Sequence, residues 1–96
     1  MMYRISDDIR KFLEKNFFET EPIFDRIERL IDFLVENEVK ESFDRIIRSV
    51  LFLAAANENL FLQYLELARL DYRDLIYLAE YEGEKQVRDF TQPFEV

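Results

Sequence analysis

The stretch Phe24-Asp25-Arg26-Ile27-Glu28-Arg29-Leu30-Ile31-Asp32-Phe33-Leu34 is written a second time as Phe43-Asp44-Arg45-Ile46-Ile47-Arg48-Ser49-Val50-Leu51-Phe52-Leu53. Phe, Asp, Arg, Ile, Arg, Phe and Leu stand at matching places in the two copies. Wound at about 100° per residue, Phe24, Ile27, Ile31 and Leu34 gather on one side of a helix, as do Phe43, Ile46, Ile47 and Val50 in the second copy. Phe33 then falls on the far side beside Arg26 and Arg29, and Phe52 falls beside Arg45 and Arg48. Each copy is thus a helix with an apolar face and a second face reading Arg-x-x-Arg-x-x-x-Phe. Two segments share one plan, and the plan concerns helix packing.

Working outward, Ser6 before Asp7 and Asp8 reads as a helix start, with a capping hydroxyl and first-turn carboxylates that favour the dipole. Ile9, Phe12, Leu13 and Phe17 supply its stripe. Thr20-Glu21-Pro22 opens helix two, with proline tolerated in the first turn, and Asn37 marks its end. Helix three is expected from Glu41 or Ser42 to about Ala56. Its second half, Val50 to Ala56, is apolar all round, which suits the central helix of a bundle. After the break at Asn57-Glu58-Asn59, Gln63, Glu66 and Arg69 form a narrow polar stripe on a helix from Leu60 to Leu70. Asp71 with Asp74 reads as a further cap, opening a helix through Leu75, Ile76 and Ala79 that closes at Gly83. These last two are either separate helices or one long kinked helix. No strand-length alternation and no hairpin dipeptide is present. The expectation is a single all-α domain over 1–96, with four or five helices, short connections and helix three at the centre. Its tail, residues 84–96, carries Val87, Phe90, Phe94 and Val96 and is expected to fold back or to bind a partner.

Composition narrows function by what it withholds. With 21 acidic against 13 basic residues and a net charge of −8, phosphate neutralisation and attraction to anionic membranes are disfavoured, so neither nucleic acid nor a membrane is expected as partner. The chain has no Cys and no His, which removes thiol nucleophiles, thiolate or imidazole metal sites and the usual serine and cysteine relays. Its single glycine, Gly83, cannot build a phosphate-cradling loop. The N-terminus turns acidic where a signal peptide would turn apolar, so a cytoplasmic location is expected.

Carboxylates are the remaining chemical resource. Glu38-x-x-Glu41-x-x-Asp44 and Asp71-x-x-Asp74 are spaced as acids are when a helical bundle projects them toward Mg²⁺ or Mn²⁺. Over these few residues the chain resembles the paired acidic motifs of the all-α nucleotide pyrophosphohydrolases. The resemblance implies metal-dependent hydrolysis of a phosphorylated small molecule, and this is the alternative function. Against it, Glu38 falls in the loop before helix three, off the face of Glu41 and Asp44. Glu41 and Asp44 also stand four residues before Arg45 and Arg48, and Asp25 before Arg29, where acid-base pairs support their own helix. No catalytic residue, metal or cofactor is therefore expected.

The preferred reading is a small acidic helical protein-protein interaction domain, regulatory, inhibitory or scaffolding, that binds a partner or its own copy. Between Asn57 and Glu84 the acids Glu58, Glu66, Asp71, Asp74, Glu80, Glu82 and Glu84 face only Arg69 and Arg73. Within this run Arg73, Tyr77, Glu80, Tyr81 and Glu84 are expected on one outward side, a surface for a basic protein partner in which tyrosine gives large contact area at low entropic cost. The residues Arg26, Arg29, Phe33, Arg45, Arg48, Phe52 and Leu62 are expected as second-face contacts of a homodimer, because the apolar circumference from Leu60 to Leu70 exceeds what one core can take.

Overall fold

Residues 5–17 and 20–94 are described in the computed structural model, so Val96 of the tail and the residues before Ile5 lie outside it. The described residues are mostly helical: α1 (Asp7–Asn16), α2 (Thr20–Glu36), α3 (Phe43–Ala54) and α4 (Glu58–Glu80). A short hairpin of β1 (Tyr81–Glu82) and β2 (Lys85–Gln86) follows. No helix among the described residues is long and apolar enough to cross a membrane.

Local chemistry accounts for most of the boundaries. At α3 the Ser42 hydroxyl accepts from the Arg45 amide at 3.3 Å, and at α4 the Asn57 side chain accepts from the Leu60 amide at 3.0 Å, so each cap satisfies an amide with no partner inside its own helix. Ser6 holds the N-cap position of α1 without capping it; its hydroxyl donates to Asp8 Oδ1 at 2.7 Å. The end of α3 comes earlier than the apolar run suggested. Ala55 and Ala56 adopt left-handed backbone with φ of 50° and 63°, and the chain turns toward α4 through them. In α4 the helix is interrupted at Asp71, which is extended, and its carboxylate accepts from the Asp74 amide at 3.1 Å to restart the helix.

The last helix ends at Glu80, short of the expected Gly83, and a hairpin of two residues per strand takes the place of its final turn. Two residues per strand are too few to leave a periodic trace in the sequence, and the turn depends on Gly83 at φ 63°. The carbonyl of Glu80, at the helix end, instead accepts from the Val87 and Arg88 amides at 2.8 and 3.1 Å.

Ile9 and Leu13 from α1, Ile27, Leu30 and Leu34 from α2, Ile46, Ile47, Val50 and Leu51 from α3, and Phe61, Leu65 and Leu75 from α4 form the buried core. α3 packs against α1, α2 and most of all α4. That placement leaves one side of α3 facing the end of α4, the residues after the hairpin and the start of α1.

Candidate functional site

Two features lie around α3: a charged network on the side described above, and an open cleft beside the last turns of α4. The network begins with arginines one turn apart. Arg45 grips Glu80 at two points, Nε to Oε2 at 2.8 Å and Nη2 to Oε1 at 2.7 Å, and Glu80 is fully buried. Gln86 donates to Oε1 of the same carboxylate at 2.9 Å and the Phe90 amide to Oε2 at 3.1 Å. The hydrogen bonds that Arg45 donates to Glu80 raise its pKa above the ordinary arginine value.

Arg48 makes the second grip. It donates from Nε to Asp8 Oδ2 at 2.9 Å and from Nη2 to Oδ1 at 3.0 Å, with further bonds to the Ser6 hydroxyl and the Phe90 carbonyl. Burial pushes the Asp8 carboxyl up, but the Arg48 guanidinium, the Phe94 amide at 2.9 Å and the Ser6 hydroxyl outweigh it and hold Asp8 well below the usual carboxylate range. Burying charges is tolerable only when they are paired and hydrogen-bonded, and here they are.

The cleft, about 300 Å³, is lined by Glu41, Arg45, Arg73, Ile76, Tyr77 and Tyr81. Tyr77 and Tyr81 stack with ring centroids 4.9 Å apart and planes 13° off parallel. The Tyr77 hydroxyl donates to the Gly83 carbonyl, so the hairpin turn fixes the pair. Arg73 is exposed beside the Tyr72 ring.

These positions divide the expected sites. Of the outward set, Arg73, Tyr77 and Tyr81 do share a surface, and Glu84 is exposed in the turn that holds Tyr77. Glu80 is a correction: expected outside, it is enclosed, because α3 brings Arg45 to that side of α4. Of the second-face set, Arg26 and Arg29 are exposed, Arg29 pairing with Asp25 at 3.2 Å, while Arg45 and Arg48 are engaged inside the fold. Phe33 is half-buried against the core. Phe52 lies under the Arg88 guanidinium, 4.4 Å from its ring centroid, and 5.3 Å from the Phe90 ring. Leu62 is partly exposed beside Pro22, Ile23 and Arg26.

Glu41 pairs with Arg45 at 3.4 Å as expected, but Asp44 does not pair with Arg48, which Asp8 claims. Oδ1 of Asp44 is buried with no hydrogen-bond partner, and burial pushes its pKa up against the pull of the Arg48 charge. Glu38 sits in the α2–α3 turn at φ 53°. Among the described residues, no three acids are gathered as a metal ion would require. Reading the sequence missed Ser6, Asp8 and Gln86 as members of the network. The two-faced pattern of α3 signalled that Arg45 and Arg48 had somewhere to go, but partners 35 to 42 residues away leave no local mark.

Comparison with protein-family models, curated proteins and solved structures finds no match for this chain.

Proposed function

We propose that the protein is a non-catalytic interaction module that binds a basic segment of a partner protein in the tyrosine cleft, as a regulatory, inhibitory or scaffolding component. The observation that carries this reading is the stacked pair Tyr77 and Tyr81, held rigid by the hairpin in an open cleft that also presents Arg73 and Glu41. Rings already ordered in the free protein lose little entropy on binding, so their contact area converts well into affinity. Exposed Glu84 in the turn and Asp74 one turn before Tyr77, on a chain of net charge −8, favour a cationic partner. A non-catalytic role is favoured by the acids themselves: Glu41 bonds Arg45 and the Ser42 amide, and all the capacity of Glu80 lies in its cage.

The test compares wild type with the Tyr77→Ala, Glu84→Lys double variant as bait in the native host. A partner retained by wild type and lost by the variant, associating more slowly as salt rises, is expected. A partner that bound both equally would place the interaction elsewhere.

A second reading, pairing with a second copy, is favoured by the apolar residues left in water along α2 and α4. Leu70 is 82% exposed, Val35 54%, Leu78 48% and Leu62 37%. Light scattering is expected to report twice the 11.8 kDa chain mass at micromolar concentration, reverting to the monomer with Leu70→Glu or Leu62→Glu. A wild-type monomer that persists on concentration removes this reading and leaves the first intact.

A further inference from the structure

Beyond the hairpin, residues 87–94 form neither helix nor strand, yet they are held at close intervals. The Phe90 amide donates to Glu80, the Phe90 carbonyl accepts from Arg48 Nη1 at 3.0 Å, and the Phe94 amide donates to Asp8. Three main-chain groups of the segment are thus bound by charged side chains from α4, α3 and α1. The Val87 and Arg88 amides on the Glu80 carbonyl, Arg88 on the Ala79 carbonyl and two rings add to the attachment. Phe90 is buried against Phe52, and Phe94 stacks on Phe12 with centroids 5.0 Å apart. Between them Thr91, Gln92 and Pro93 are exposed.

The receptor groups do not depend on this segment for their pairing. Arg48 retains both bonds to Asp8, and Arg45 retains both bonds to Glu80, if residues 87–94 move away. No charge is orphaned by vacancy, which is the condition for such a groove to open without the several-kilocalorie penalty of an unpaired buried ion.

We propose that the groove formed by α1, α3 and the end of α4 is a docking site for an extended peptide of a partner protein bearing two phenylalanines four residues apart, and that residues 87–94 occupy it as a competing internal ligand. Recognition through the backbone makes the three residues between the rings unimportant, so the required pattern is Phe-x-x-x-Phe with free amides at both phenylalanines. A tethered competitor acts at an effective concentration on the order of millimolar, so the partner enters when the segment is displaced. This groove is separate from the tyrosine cleft and does not rest on it; the Arg45–Glu80 pair lies between them.

The test uses a fluorescein-labelled synthetic peptide spanning residues 85–94 and full-length protein, read by anisotropy. Phe94→Ala and Phe90→Ala/Phe94→Ala proteins, with their internal anchors weakened, are expected to bind the peptide at least about ten-fold more tightly than wild type. Replacing both phenylalanines of the peptide by alanine should weaken it by at least about ten-fold. Equal binding to wild type and variants, no binding to either, or indifference to the peptide's phenylalanines overturns the proposal. So does loss of helical circular dichroism in both the double variant and the milder Phe94→Ala, because the groove would then not exist without its own segment. A wild-type dimer that free peptide dissociates would make a second copy's segment the occupant and overturn the assignment to a partner.

Discussion

α2 and α3 carry the same phrase and live in different surroundings. Arg29 stands in α2 where Arg48 stands in α3, yet the Arg29 side chain is 69% exposed and that of Arg48 is 5% exposed. Arg26 is in water, whereas its counterpart Arg45 encloses a buried glutamate. Asp25 pairs with Arg29, but Asp44 has lost Arg48 to Asp8 and keeps a buried oxygen without a partner. A residue's duty is therefore set by what packs beside its helix. α2 presents its second face largely to solvent, and α3 presents the same face to the end of α4, the segment after the hairpin and the start of α1.

Breaking the comparison at its strongest point means removing a buried grip. Arg48→Met is expected to cost about 3 to 5 kcal/mol in urea unfolding, because it leaves the enclosed Asp8 carboxylate without its cation, and Glu80→Ala is expected to cost less, because Arg45 keeps Glu41 and some contact with water. Arg29→Met, the equivalent change on α2, is expected to stay within about 0.5 kcal/mol. Similar losses from Arg29 and Arg48 would mean the network contributes nothing special.

The acid limb sharpens the same contrast. Asp8 is held below its unfolded value, so the stability it supplies is present above the ordinary aspartate range and is lost as pH falls through that range toward the folded value. Wild type should therefore lose stability from about pH 5 downward. Asp8→Asn should be less stable at neutral pH by about 2 kcal/mol, with a flatter acid limb. An unchanged limb would show that Asp8 is not held by Arg48 in solution. Asp44 has the opposite sign: its raised pKa means the folded state takes up a proton first, so its contribution improves on acidification.

Smaller effects separate the aromatic counterparts. Phe33, half-buried against the core, is expected to cost about 2 kcal/mol on truncation to alanine, and Phe52, 38% exposed, about 1 kcal/mol from lost ring and guanidinium contacts. Thermal unfolding of the pair of variants checks the order. Smallest of all, Asp44→Asn is expected to raise stability by up to about 1 kcal/mol at neutral pH by removing a partly buried, poorly satisfied charge. Asp25→Asn should lower it by a few tenths, the value of an exposed pair one turn apart. A destabilising Asp44→Asn would mean the carboxylate has a partner in solution.

The helices could be read from the chain alone, because helix formation answers to neighbours within four residues. Apolar spacing chose the faces, and Ser42, Asn57 and Asp71 placed three starts through side chains that cap the next turn. The chain also places Tyr77 and Tyr81 one turn apart, which is why their shared surface was legible. Which arginines stay in water, why Glu80 is enclosed and that Asp8 belongs to Arg48 follow from how the helices pack. Those contacts join residues 35 to 40 positions apart. A guanidinium carries the same five donors in either environment. What differs is whether another element removes its water and supplies a carboxylate in exchange, and that depends on how the helices pack.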